Sequence, residues 1–303
     1  MINYFKKTVK DAEIKRIGRF ERGCWIEVVD PSEKEIEYLH KHFGLDKQNL
    51  ISGTDKHEVP RVEVDNKDIY IILKIISPGD KKDLHTFMIT ITSDFILTLS
   101  KYRPQFIERI FDRKIEFITT QKLKCLLKFF SMINKDFERS TYSIVRSVNT
   151  KKDSIINLSE KDINALLEQE SILNNFVSSY YYINLLYKRI IKNVKFFEED
   201  KDIIEDLIIE AQQGLDLCRS SLRTISNIRN HFVVLLSNKL NKVITLLTIF
   251  TVFISVPAAI SGLYGMNLLL PLQKSPFAFY YITLLVVAIW VGFVIYFKKR
   301  RIL

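Results

Sequence analysis

Near its C-terminal end this 303-residue chain carries Asn241, Ile244, Thr248, Thr251, Ser255, Ala258 and Gly262 at alternating steps of three and four. Such steps put one side chain per turn on a single seam, the pattern of helices packed around a common axis. The seam is small and polar, so it can line a narrow wet path. Two other roles suit the same residues: Ser, Thr and the nearby Thr245 can bond back to their own helix carbonyls, and small side chains let two helices pack closely. Shortly beyond the seam, Tyr264-Gly265-Met266-Asn267 sits in the gap between two apolar runs. It reads as the mouth of a pore. Gly265 can turn the backbone sharply after a helix, Met266 can pack behind, and Asn267 offers a neutral carboxamide.

The elements that must position these groups are membrane helices. The runs at about 243–264 and 277–297 are free of charge, and each is long enough to cross the ~30 Å hydrocarbon core at ~1.5 Å per residue. Pro257 removes one hydrogen bond from the first span and bends it near its outer third, as a gate or as a packing irregularity. The second span has Thr283 as its hydroxyl residue besides tyrosines. One span therefore faces lipid, and the other does not.

Orientation follows from the short basic flanks. Lys239 and Lys242 precede the first span, and Lys298, Lys299, Arg300 and Arg301 follow the second, together forming a basic collar. Both termini are expected in the cytoplasm of a multi-pass plasma-membrane protein, with the loop from Asn267 to Pro276 outside. The N-terminus lacks the apolar stretch and cleavage site of a secretory signal, which agrees. The formal charge of +10, from 45 basic and 35 acidic residues, is interleaved along the chain and excludes nucleic acid as a natural partner. Cys24, Cys125 and Cys218 lie far apart, with neither a disulfide framework nor a zinc-ribbon spacing.

Upstream of the spans the pattern predicts a cytoplasmic α/β domain over 1–104, a helical and stalk region over 105–242 and a membrane region over 243–303. Strands are expected at Trp25–Val29, Val62–Val64, Ile69–Ile76, Phe87–Thr92 and Phe95–Leu99, with a turn at Asp65–Asp68. A helix opens at Asp30-Pro31-Ser32-Glu33 and runs to Gly44. Helical spacing then covers Phe106 to about Val148 and Ile163 to about Phe197, with breaks expected at Asn149–Asp153 and Glu198–Lys201. From about Asp202 the pattern continues into the first span without a turn signal, despite Gly214. Some 60 residues in one helix would reach roughly 90 Å and need lateral partners, so self-association is expected.

Ser237-Asn238-Lys239-Leu240-Asn241-Lys242 followed by Ile260-Ser261-Gly262-Leu263-Tyr264-Gly265-Met266-Asn267 resembles the CorA family of divalent-cation channels. The basic tail resembles the family too, as do, more loosely, Trp25–Pro31 and His57–Glu63. The resemblance implies a funnel-shaped homopentamer of α+β cytoplasmic domains, long stalk helices and two C-terminal transmembrane helices. It implies Mg²⁺ as transported and regulatory ion, membrane lipid as surroundings, no organic cofactor and no enzymatic activity. Gly265, Met266 and Asn267 would form the selectivity filter. Mg²⁺ dehydrates reluctantly, so a ring of Asn267 carboxamides can select it by bonding its hydration shell. Asn241 would be a second ring, with Ile244 and Leu247 a constriction that closes by dewetting. Two charges falling through ~100 mV gain about 4.6 kcal/mol, so uptake needs no fuel, and there is no P-loop.

Two departures stand out. Family members often carry acids in the outer loop, whereas Leu268 to Pro276 has none and includes Lys274. The family's regulatory Mg²⁺ is held by acids from neighbouring subunits. One matches Asp206, with Glu210 close by, but the family's Leu-Glu-Asp element reads Leu50-Ile51-Ser52. Glu205, Glu210, Asp46 and Asp55 are candidates to stand in, and a solvated helix face is the other reading of Asp206 and Glu210. His40 and His42 face different ways and make a poor metal pair; His57, His85 and His231 are isolated. A transporter of Zn²⁺, Co²⁺ or Ni²⁺ with this fold, and a membrane-anchored scaffold, are the alternative functions.

Overall fold

The N-terminal runs of Val, Ile, Tyr and Phe form a seven-stranded sheet in a computed structural model that describes residues 1–65, 68–77, 79, 82–112, 116–266, 271 and 275–299. Its strands are β1 (Ile2–Lys6), β2 (Lys15–Ile17), β3 (Trp25–Val29), β4 (Arg61–Asp65), β5 (Asp68–Ile76), β6 (Leu84–Ile91) and β7 (Ile96–Ser100). They lie in the order β2-β1-β3-β7-β6-β5-β4. Every pairing is antiparallel except β3 with β7, where Trp25 pairs with Ile96 and Val29 with Ser100.

Both faces of the sheet are covered, which is why β5 reads as a nearly unbroken apolar run rather than a strict alternation. Ile26, Val28, Tyr70, Ile72, Met88 and Leu97 pack toward α1 (Glu33–Phe43) and α2 (Lys47–Ser52), which contribute Ile36, Leu39 and Leu50. The opposite face, with Trp25, Ile71, Leu73, Phe87 and Ile89, joins a continuous core with α3 (Gln105–Phe111), α4 (Lys122–Asp153) and α5 (Glu160–Asn193). There the Trp25 indole donates to the Thr98 hydroxyl at 2.9 Å. The capping signal before α1 works as its residues predict: Ser32 and Glu35 form a capping box, and Gly44 closes the helix with φ of 70°. Neither β1, β2 nor α2 was marked by the pattern. β1 buries Phe5 alone, and β2 is short and half exposed.

The helical breaks fall elsewhere than their polar residues suggest. Asn149 to Asp153 are the last turns of α4, where Lys151 and Lys152 favour the negative end of the helix dipole. The chain actually turns after Asp153, through a 3₁₀ segment at Ile155–Asn157, and a Ser159–Asp162 capping box starts α5. Likewise Glu198, Glu199 and Asp200 are the acidic first turn of α6 (Glu198–Tyr264), not a break. The single stretch expected from Phe106 to Val148 is two helices, since α3 ends at Phe111 and α4 begins at Lys122. Asn66 and Lys67 of the expected turn lie outside the described residues.

Contacts divide the chain into two units, Met1–Arg229 and Asn230–Leu303. In the first, Ile204, Leu207, Ala211, Leu215, Cys218, Ile225 and Ile228 of α6 are buried in the core. Gly214 permits the closest approach: a Cβ there would stand 2.3 Å from Tyr180 Cζ. The second unit holds the remainder of α6 and α7 (Ala278–Lys299), the two helices long and apolar enough to cross a membrane.

Candidate functional site

Burial sorts the first span into two faces. Thr245, Val252, Phe253, Val256, Pro257 and Ile260 are half-buried and Ile249 is buried. On α7 the half-buried residues Ile282, Val286, Ile289, Phe293 and Phe297 make a matching stripe. Asn241, Ile244, Thr248, Thr251, Ser255, Ala258 and Gly262 are all exposed. At 3.6 residues per turn their mean direction lies roughly 140° from that of the half-buried face. The seam thus points away from the side that packs on α7. Leu247 is exposed at the seam's flank, about 70° off its centre, and Thr245 belongs to the other face.

The threonine hydroxyls bond to their own helix. Thr248 donates to the Ile244 carbonyl at 2.8 Å and Thr251 to the Leu247 carbonyl at 2.9 Å. That is the bonding back weighed against a wet path, yet the two readings are compatible. A hydroxyl has one proton, and once it is engaged on the preceding turn the oxygen's lone pairs remain to accept hydrogen bonds. At Thr248 and Thr251 the seam therefore offers acceptors, which suits the outward-facing protons of water around a cation.

At the outer end, the Gly265 amide still bonds the Ser261 carbonyl at 2.9 Å, and Met266 bonds Leu263 at 3.3 Å. The chain turns at Gly265 and Met266, just past the helix end, and Gly265 is not among the glycines with positive φ, so that turn does not use a left-handed glycine. What its size relieves is crowding, because a Cβ would lie 3.3 Å from the Ser261 oxygen. Tyr264 donates its hydroxyl to the Pro271 carbonyl at 3.3 Å, tying the helix end to the following loop. Asn267, Lys274, Arg300 and Arg301 lie outside the described residues, while Lys239, Lys242, Lys298 and Lys299 are exposed.

Pro257 lies inside an unbroken helix. Lacking an N–H, it leaves the Phe253 carbonyl, four residues back, without its helical donor. The Trp290 indole of α7 supplies one, donating to the Phe253 oxygen at 3.2 Å, with its ring 5.7 Å from that of Phe253. Reading the chain alone does not reveal this pair; a tryptophan in mid-span beside a proline-bearing helix is the signal that could have.

In the first unit, Asp206 and Glu205 are exposed on α6. Glu210 accepts from the Asn134 side-chain amide at 3.4 Å; Asn134 also donates to the Leu207 carbonyl at 3.0 Å and accepts from the Tyr187 hydroxyl at 3.0 Å. Asp46 and Asp55 are occupied by backbone amides, those of Asn49 at 2.7 Å and His57 at 2.9 Å. Ser52 faces Arg61, which reaches it at 3.3 Å, Asn49 at 3.2 Å, Glu63 at 2.6 Å, and Glu58. The Ser52 hydroxyl, with the Val59 amide and Arg61, holds the Glu58 carboxyl below the usual glutamate range against its partial burial. His40 bonds the Leu45 carbonyl at 2.7 Å, His42 stacks on Tyr38, and His85 meets Tyr102 edge to face. Among the described residues of one chain, no three His, Cys, Asp or Glu side chains converge as a metal site.

An α/β head, long helices and two apolar C-terminal helices, one with a polar seam, define a membrane protein of the transport class. The sequence pattern of the CorA-like Mg2+ transporter protein family matches residues 20–299, and the chain belongs to that family. Its members are divalent-cation transporters rather than enzymes. The cobalt/magnesium transport protein CorA of Methanocaldococcus jannaschii is 25% identical, over 92% of this chain and 90% of that one. The magnesium transport protein CorA of Helicobacter pylori is 22% identical over 99% of both. The complete structure of the M. jannaschii CorA magnesium transporter has the same fold, with a TM-score of 0.85 at 23% identity, covering 99% of this chain and 98% of that one.

Proposed function

We propose that this chain is the subunit of a homopentameric, passive Mg²⁺ channel of the plasma membrane, both termini cytoplasmic, gated by cytoplasmic Mg²⁺. The observation that carries the reading is the exposed seam turned away from α7, with the Thr248 and Thr251 oxygens left as acceptors. A helix whose polar face avoids its neighbour in the chain needs that face against copies of itself or against water, because lipid cannot satisfy it. Five copies around an axis give both. Asn267, with Gly265 and Met266, is the selectivity filter at the outer end. Asn241 forms an inner polar ring, Ile244 and Leu247 the dewetting constriction, and Lys239, Lys242 and Lys298 to Arg301 the collar. Residues 1–104 act as head, 105–242 as helical stalk region and 243–303 as membrane part.

Purified protein in liposomes, assayed for Mg²⁺ influx beside its Asn267→Ala variant, tests the filter. Wild-type influx and a loss of at least about tenfold in the variant are expected, the scale of one lost charge-assisted hydrogen bond. Equal flux ends the amide-ring mechanism. Co²⁺ belongs in the same assay, since the M. jannaschii relative is named for cobalt and magnesium.

Mg²⁺ sensing is assigned to acids shared between copies, with Asp206 and Glu210 as this chain's contribution; the exposure of Asp206 supports that role. Ser52, held by Arg61, supplies no carboxylate. Asp206→Ala is expected to weaken both inhibition by internal Mg²⁺ and Mg²⁺-dependent protection from protease. Unchanged inhibition and protection would place the sensor elsewhere.

A further inference from the structure

Trp290 stands in the middle of α7, where a bilayer offers its indole N–H no water to bond. Tryptophan is enriched at the membrane's edges because one end of the ring is polar. A mid-span indole therefore needs a protein acceptor, and here it has one. The acceptor is not an arbitrary carbonyl. Phe253 is the residue whose oxygen Pro257 orphans, so the free donor on α7 and the free acceptor on α6 satisfy each other at 3.2 Å. Phe253 and Trp290 rings in contact at 5.7 Å and 37° hold the two backbones in register for that bond.

Pro257 also divides the seam. Asn241, Ile244, Thr248, Thr251 and Ser255 lie on its inner side, and Ala258 and Gly262 on its outer side. A helix that lacks a hydrogen bond at such a point is free to bend there, and the bend would carry the outer seam out of line with the inner one. We propose that Trp290 is a positioning residue for ion conduction: its indole replaces the missing Pro257 amide on the Phe253 carbonyl, so that the second span sets the bend of the first. This rests on the seam being the ion path. α7, which carries no seam of its own, then governs the path from behind.

The test is a double-mutant cycle on the full chain. Trp290→Phe keeps a ring and removes the donor. Pro257→Ala restores the helical N–H, which makes an outside donor unnecessary. In the natural background Trp290→Phe is expected to lower Mg²⁺ influx into liposomes by about threefold to twentyfold, the measured span for hydrogen bonds between membrane helices. In the Pro257→Ala background the same change should move influx by less than about twofold. A purely packing role for the indole would cost the same in both backgrounds and would overturn the proposal, as would no effect in either. The same four proteins, heated in detergent, give a readout that needs no transport. There too, a loss of thermal stability from Trp290→Phe confined to the proline background supports the bond, and equal losses refute it. Failure of influx in all four proteins would count against the seam as ion path, while the thermal cycle would still decide whether Trp290 replaces the lost amide.

Discussion

The two lengths of α6 are made of the same regular backbone and obey opposite rules. From Glu198 to Arg229 the apolar stripe is buried against α4 and α5, and the charged residues other than Asp200 keep at least part of their surface outside. From Asn230 to Tyr264 most side chains are exposed, Leu246, Leu247 and Phe250 included, and Asn241, Thr248, Thr251 and Ser255 share one seam. The first stretch is specified by what the chain itself packs on it. In the proposed channel the second is specified by surroundings outside the chain, lipid on one part of its surface and the seam's partners on another. The same substitution should therefore register as stability in one stretch and as transport in the other.

Its two glycines give the largest contrast. Gly214→Ala drives a Cβ to 2.3 Å from Tyr180, and overpacking of that kind should cost about 2 kcal/mol or more in thermal or chemical unfolding. Gly262→Ala meets nothing within 4 Å, and should gain up to about 1 kcal/mol from helix propensity while lowering Mg²⁺ influx. Equal destabilisation by both would break the comparison. Next comes Thr251→Val, which keeps shape but removes the seam oxygen. Unfolding should change by less than about 0.5 kcal/mol, and influx should fall roughly fivefold, the worth of about one hydrogen bond.

The smallest effect is in the head. Because the folded Glu58 carboxyl is held below its usual range, its contribution to stability is complete above that range and is lost as pH falls through the lowered folded value. Ser52→Ala removes the foremost cause, so the folded value should rise toward the ordinary one. Acid unfolding should then begin at slightly higher pH, with transport at neutral pH unchanged. An unaltered acid midpoint would show that the Val59 amide and Arg61 sustain the shift without Ser52.

Much of this was written locally. The capping residue before α1, the apolar strand runs and the seam's 3.5-residue spacing each depend on residues a few positions apart. The two membrane spans could be read for the same reason, since hydropathy and basic flanks are properties of a short window. What could not be read depended on distant partners. β1 is a strand because β2 and β3 flank it, with Phe5 buried against Trp25. The polar run at Asn149 to Asp153 is helical because Val148 and Ile144 already anchor that end of α4 in the core. Acids at Glu198 to Asp200 look like a loop until the dipole of a long helix is placed behind them. In the site, the seam was legible but its direction was not, for that required α7. The Trp290 bond joins two segments that no local pattern connects.

The parallel pairing of β3 with β7 sets the order in which the head can assemble. β1, β2 and β3 can pair as one sheet piece, and β4 to β7 as a second, each from antiparallel neighbours. The halves meet along one ladder whose strands are far apart in the chain, and such long-range closure is the slow event in folding. Trp25 sits on that ladder with its indole bonded to Thr98 across the join, and the chain has only two tryptophans. A protein in which Trp290 has become phenylalanine therefore carries a single tryptophan, excitable at wavelengths its tyrosines do not absorb and placed where the two halves join, which makes the maturation of the head visible by light without any added label.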